Sequence, residues 1–292
     1  MEKKKHIIYD HPYFGALVAG ILTYAFATLP AVFPAAILGI YQSLNGGAEV
    51  PANISKMVET SMFLVSGLLA LVAIAIHKGW FKKDGYKGCF TLSKAPKKDV
   101  WKCILVLFIV DMMVTIIEIM TKDVVGPRFV LPTLSSLILA FYAGVFEETS
   151  FRAIPISIIM KNSPTRKRMW IGVIATALAF GFMHMGNITS GATAYISLLQ
   201  SLTAICSGLF WAAVYLRTGT ILIPMAYHVM HDFIGFMDAE QSTGTMAMTT
   251  VPVASIVGET LLAVVCIVGA IYLLRKSKWE EIKATWSDIW AE

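Results

Sequence analysis

Eight stretches of this chain are nearly unbroken runs of apolar residues: 13–42, 58–77, 101–120, 131–160, 169–187, 194–216, 219–237 and 250–274. Short polar stretches separate them, and each run approaches or exceeds the roughly 20 residues that a helix needs to cross the hydrocarbon core of a bilayer. The pattern predicts an all-α, polytopic transmembrane bundle of about eight spans, folded as a single integral-membrane domain over residues 1–292. The first run carries Pro30 and Pro34, which predict a break within it. Ahead of it, MEKKKHIIYDHPYF is basic at its start but has no cleavage-site pattern. The run that follows is also too long for a removed signal peptide, so it reads as a retained first helix.

The pattern changes character in two places. The loop GWFKKDGYKGCFTLSKAPKKD is polar, basic and glycine-containing, as expected of a segment on the cytoplasmic headgroup surface. The tail KWEEIKATWSDIW sets Trp279, Ile282, Trp286, Ile289 and Trp290 near one helical face. That predicts an interfacial amphipathic tail over 277–292 with tryptophan at headgroup depth. No sequence repeat or low-complexity tract is visible.

Composition agrees with the spans. Of 292 residues, 57% are hydrophobic and 15% charged, too apolar a balance for a soluble chain of this length. If both termini are cytoplasmic, all but four of the 24 Lys and Arg fall on the cytoplasmic side. The exceptions are Lys56, Lys122 and Arg128 on the opposite side and Arg152 within a span, an asymmetry that supports this orientation. The net charge of +5 therefore belongs to loop asymmetry and anionic lipid headgroups. No helix-turn-helix or basic-aromatic platform points to nucleic acid. Cys89, Cys103, Cys206 and Cys266 lack the CxxC spacing of a thiolate zinc site or disulfide framework.

Against this background, the stretch FEETSFRAIP, residues 146–155, places Glu147, Glu148 and Arg152 in the middle of an apolar run. A charge at that depth costs about 2.5–3.5 kcal/mol on insertion scales, so it needs a partner, a polar cavity or a function. His184, His228, His231 and Asp232 raise the same question in other spans. Measured along each helix from its nearest cytoplasmic basic residue, Glu147 lies about 21 Å, His184 about 24 Å and Asp232 about 22 Å deep, with His228 one turn lower. Four residues separate Glu148 from Arg152, and four separate His228 from Asp232, so each pair shares a helix face. Glu147 is turned about 100° from Glu148.

These are the parts of a hydrolytic site. A carboxylate or imidazole can take a proton from water, a second imidazole can stabilise an oxyanion, and Arg152 can hold Glu148 ionised and oriented. Alternatively, His184, His228 and a carboxylate could hold a zinc ion that acidifies a bound water. Spacing does not separate these two mechanisms. No HExxH pair or cysteine ligand set is present, so any zinc site would be open and catalytic. Simpler explanations compete for individual residues: helix packing for His231, structural pairing for Glu148 with Arg152, and packing or cavity lining for Asp111 and Glu118. A proton-coupled transporter would use buried carboxylates too, but the chain lacks the inverted repeat and paired broken helices often seen in such proteins.

Three motifs together resemble the CPBP family, the Abi or type II CAAX endopeptidase proteins of membranes. EETSFR matches EExxxR, FGFMH (Phe180 to His184) matches FxxxH, and HVMHD (His228 to Asp232) occupies the place of Hxxx(N/D). They occur in the expected order on separate spans, and the resemblance covers residues from about 131 to 237. It implies an intramembrane endopeptidase with a site among several helices, reached from the cytoplasmic side. On the matching positions, Glu147 becomes the water activator with His184, Glu148 and Arg152 a supporting pair, and His228 with Asp232 the oxyanion-side or metal-side group. Many members have Asn where this chain has Asp232. A carboxylate donates no hydrogen bond unless protonated, which favours orienting His228 or metal ligation at that position.

The expected substrate is a membrane-associated or lipidated, CAAX-like peptide. The alternative is a non-catalytic scaffold or immunity protein of the same fold, regulating a membrane or cell-wall enzyme partner. Short loops and a basic cytoplasmic face suit a bacterial plasma membrane.

Overall fold

The structure is a computed structural model that describes residues 10–91, 98–121, 130–161, 164–237 and 253–291. The basic N-terminal segment through Tyr9, residues 92–97 of the polar loop, Lys122, Arg128 and residues 250–252 of the last apolar run lie outside it. Every regular element among the described residues is helical. Helix α1 (Pro12–Thr28) passes through a 3-10 turn at Leu29–Val32 into α2 (Phe33–Leu44). The turn falls at the predicted break, with a proline in the first turn of both the 3-10 segment and α2. Then follow α3 (Ala52–Phe81), α4 (Lys98–Thr121), α5 (Leu134–Glu148), a π-turn at Thr149–Ala153, α6 (Ile154–Ile159), α7 (Arg166–His184), α8 (Ala194–Thr218), α9 (Leu222–Gly235), α10 (Val253–Leu273) and α11 (Trp279–Ile289).

Six of these rods are long and apolar enough to cross a membrane: Pro12–Leu44, Ala52–Asp84, Lys98–Ile117, Arg166–Thr189, Ala194–Thr218 and Val253–Leu273. Two expected spans behave differently. The run 131–160 is interrupted by its own charges and π-turn. The run 219–237 yields only the 14-residue α9, about 21 Å long, too short to traverse a core of about 30 Å. These are the two rods that carry Glu147, Glu148, Arg152, His228 and Asp232.

Local sequence accounts for the helix ends near the site. Thr133 and Ser136 form a reciprocal capping box at the start of α5, while Thr165 and Thr193 accept from the Arg168 and Ile196 amides at the starts of α7 and α8. Helix α5 lies against α3 and α9, α8 against α7 and α10, and α10 against α4; α1 covers α6 and the π-turn. The last third of α8, Phe210 to Thr218, is continuously buried and forms a central post. Large apolar side chains such as Phe14, Leu22, Leu68, Val72, Leu105, Ile109 and Val268 face outward. An outward apolar surface on helices of this length is the face a bilayer covers, and the chain is an integral membrane protein.

The tail differs from its expected setting. Ile282, Trp286, Ile289 and Trp290 are turned into the protein, each at most 1% exposed. Trp286 donates its indole N–H to the Leu216 carbonyl at 3.1 Å, and Trp290 donates to the Ser157 carbonyl at 3.1 Å. Lys161 sits 4.1 Å above the Trp290 ring. The buried Arg217 guanidinium donates to Asp99, to Glu281 and to the Leu273 carbonyl, all at 3.1–3.2 Å, joining α4, α8, α10 and α11. The polar loop closes on the same helix. The Lys87 amide donates to the Ile289 carbonyl at 2.8 Å, and Lys87 Nζ pairs with Asp288 at 2.7 Å. At Gly85, where φ is 89°, an added Cβ would stand 2.4 Å from the Trp290 carbonyl oxygen, so only glycine admits this approach. Amphipathicity was legible in the sequence; that protein rather than lipid covers the apolar face depends on carbonyls and a groove contributed by distant segments.

Candidate active site

The site begins where α5 ends. After Glu148 the helix widens into the π-turn Thr149–Ala153, which inserts an extra residue before α6 resumes. Thr149 donates its hydroxyl to the Val145 carbonyl at 2.7 Å, and Glu148 and Arg152 form a buried ion pair on the inner face. Glu147, on the neighbouring stripe, keeps about 15% of its side chain exposed, whereas the Glu148 side chain is fully buried. Two neighbouring carboxylates thus occupy different surroundings, one sealed against a guanidinium and one partly exposed.

The Arg152 guanidinium is held from two sides. Its plane lies 4.2 Å from the Phe180 ring centroid, a cation–π contact with α7. On the other side Gly208 of α8 leaves the space, since a methyl there would stand 3.3 Å from Nη2 and 3.2 Å from Ala177 Cα. Phe180 also meets the two site histidines edge-on, His184 at 4.9 Å and His228 at 6.1 Å between centroids. The phenylalanine of FxxxH is therefore the wall that spaces the arginine and both imidazoles.

Helix α9 brings the last two groups. Its close contact with α5 depends on Gly144, where a Cβ would stand 2.8 Å from the Val229 amide nitrogen and 2.6 Å from Val229 Cγ2. At this crossing His228 Nδ1 lies 3.0 Å from Glu148 Oε1, while Nε2 lies 3.5 Å from Glu147 Oε2 and 3.8 Å from Asp232 Oδ2. Glu148 already takes a hydrogen bond from Arg152, so it accepts and His228 Nδ1 donates. Arg152, Glu148, His228, Glu147 and Asp232 form one continuous network.

The remaining sequence-predicted residue, His184, stands at its edge. His184 Nδ1 is 3.0 Å from the Phe180 carbonyl oxygen, which can only accept, so Nδ1 bears the proton and Nε2 carries the lone pair of the neutral ring. Among the described residues no hydrogen bond joins His184 to the carboxylates. Their connection runs through Phe180.

From sequence, Asp111 reads as a packing or cavity-lining group, helix packing is one of the explanations that compete for His231, and Tyr227 carries no mark. The structure joins all three: Asp111 Oδ2 accepts from the Tyr227 hydroxyl at 2.6 Å and from His231 Nδ1 at 2.9 Å. The i,i+4 spacing of Tyr227 and His231 was a readable signal, but their acceptor lies more than a hundred residues earlier and carries no local mark. Metal chemistry was the other open matter. Among the described residues no three His, Cys, Asp or Glu side chains converge as a metal-binding group. The arrangement is that of an ion-pair network, and His228 already addresses carboxylates with both nitrogens.

A long helical bundle that gathers two Glu, an Arg, a His and an Asp at one helix crossing marks a membrane protein with an internal polar site. The family model for type II CAAX prenyl endopeptidase, Rce1-like, matches residues 129–234, from just before α5 to the end of α9. The matched stretch contains all six sequence-predicted site residues. No curated protein and no solved structure was matched.

Proposed function

We propose that this protein is an intramembrane endopeptidase that hydrolyses a peptide bond in a membrane-associated or lipidated, CAAX-like peptide. The observation that carries this reading is the placement of His228 between the buried Glu148, at 3.0 Å, and the partly open Glu147, at 3.5 Å.

In this reading Glu147 takes a proton from water as the water oxygen attacks the scissile carbonyl, and later delivers it to the leaving nitrogen. The lone pair on His184 Nε2 helps to hold that water. Glu148, neutralised by Arg152, fixes the His228 ring through Nδ1–H, so that Nε2–H faces the developing oxyanion. Asp232, unable to donate as a carboxylate, orients Nε2 and stabilises its charged form. The orientation with both termini cytoplasmic follows the loop charges, and a bacterial plasma membrane suits the short loops. The substrate's apolar anchor would stay in the bilayer while its peptide enters the polar crossing.

The test compares the membrane peptides of cells carrying wild-type protein with those carrying Glu147→Gln, followed by purified protein and the accumulated peptide in vesicles. A precursor that accumulates in the variant and is cleaved only by wild-type protein is the expected result. Equal cleavage by Glu147→Gln would remove the proposed water activator.

A further inference from the structure

Helix α9 carries two polar stripes, and only one belongs to the site described above. His228 and Asp232 face α5. Tyr227 and His231, also four residues apart, lie about 100° round the helix from them and face α4. There they meet a single oxygen: Asp111 Oδ2 receives the Tyr227 hydroxyl at 2.6 Å and His231 Nδ1 at 2.9 Å. Asp111 is only 2% exposed and Tyr227 9%. The Tyr227 ring is braced in turn by Trp211 of α8, with centroids 4.5 Å apart. Asp111 lies on α4, outside the stretch that the family model matches.

This second stripe matters because it grips α9 on the side away from its crossing with α5. Its buried residues are Pro224, Met225 and Tyr227, all in its first half. From His228 onward none is fully buried, and the apolar grip on that half comes from Val229 against Gly144 of α5 and from Met230 against the core. A turn of about 30° about the helix axis would sweep a side-chain tip at a radius of about 5 Å through about 2–3 Å. That displacement is enough to break a 3.0 Å hydrogen bond between His228 and Glu148. Two contacts one helical turn apart, converging on one fixed acceptor, resist such a turn where a single contact would act as a pivot.

We propose that Asp111, acting through Tyr227 and His231, is a positioning residue that sets the rotation of α9 and so holds His228 on Glu148. Its catalytic consequence rests on the endopeptidase reading; its geometric consequence does not. Asp111 touches no reacting atom and acts entirely through the helix it grips.

The experiment uses full-length protein in lipid nanodiscs with 15N-labelled histidine, the His228 ring signals being identified by their loss in His228→Ala. In Asp111→Ala the His228 signals should move toward the positions they take in Glu148→Gln. With a cleavable peptide, kcat should fall at least about tenfold while KM stays within about threefold, the pattern of a lost transition-state interaction. Asp111→Asn keeps an acceptor for both donors and should return the signals and most of the turnover. His228 signals unchanged in folded Asp111→Ala would overturn the proposal, as would Asp111→Asn behaving like Asp111→Ala. If Asp111→Ala does not fold, Tyr227→Phe carries the test: a smaller shift in the same direction supports the clamp, and an unmoved signal overturns it. The two readings separate cleanly. Shifted signals in a protein whose wild type cleaves nothing would keep the clamp and sink the endopeptidase, whereas lost turnover with unmoved His228 signals would do the reverse.

Discussion

His228 and Arg152 share one oxygen: Glu148 Oε1 receives the guanidinium from its own helical segment and the His228 Nδ1–H, at 3.0 Å, from α9. A fully buried carboxylate with two donors is a fixed reference point. In the proposed reaction the imidazole is placed by a group that takes no part in it, which would leave Glu147 and the opposite ring nitrogen to act.

Removing one member of that buried pair leaves the other charge uncompensated, which costs about 3–5 kcal/mol, whereas replacing both by apolar residues is often near neutral. Glu148→Gln should therefore lower the thermal midpoint in detergent strongly, and Glu148→Leu/Arg152→Met should recover much of it. Neither should cleave substrate. A single variant as stable as wild type would show that the pair contributes little.

Gly144→Ala should weaken the crossing of α5 and α9, because the new methyl meets the Val229 backbone nitrogen at 2.8 Å. Backbone cannot step aside as a flexible side chain can, and overpacking of this kind costs about 1–3 kcal/mol. The expected result is a lower midpoint with turnover reduced more than stability alone explains. Truncating Val229 to Ala removes the clash with Cγ2 but not the one with nitrogen, so it should rescue only partly.

Arg217 should be irreplaceable by lysine. Its planar fork reaches Asp99 with both terminal nitrogens and also serves Glu281 and the Leu273 carbonyl, a geometry that a single ammonium cannot reproduce. Arg217→Lys should cost about 2–3 kcal/mol, allowing for the partly exposed acceptors. It should also release α11, read as faster trypsin cleavage at Lys278 and Lys283. Cleavage at the wild-type rate would mean that the tryptophan face alone holds the tail.

Turnover should survive a membrane-permeant chelator. Both ring nitrogens of His228 address carboxylates, and no three-ligand group forms among the described residues. Metal analysis of purified protein should accompany the assay. Stoichiometric zinc whose removal stops cleavage, and whose return restores it, would replace water activation by Glu147 with metal chemistry.

Much of this was readable from sequence because the bilayer makes apolarity and charge so unequal in cost. Glu147, Glu148, Arg152, His228 and Asp232 stood out as deep charges, and their i,i+4 spacings gave the faces on which they meet. Helix depth alone brought His184 level with them, but not into contact: one hydrogen bond to its own helix and a shared phenylalanine set its place. Tyr227 escaped attention since tyrosine is ordinary in an apolar span, and the worth of its hydroxyl depends on Asp111 being opposite. The tail showed the same limit. Helical spacing reveals that a face is apolar, while its partner is chosen by tertiary packing.

The π-turn at Thr149–Ala153 amounts to a single residue inserted into an otherwise regular rod. Helix phase beyond it is set by that one residue, since removing it would turn everything downstream by about 100° and lift it by about 1.5 Å. Downstream lies α6, whose Ser157 carbonyl receives Trp290 of the tail. The same insertion therefore keeps two distant fittings in step, the arginine at the crossing of α5 and α9 and the socket of the C-terminal helix. A chain shortened by one residue here would gain a more regular helix and lose the alignment of both, so length is the property this segment can least vary.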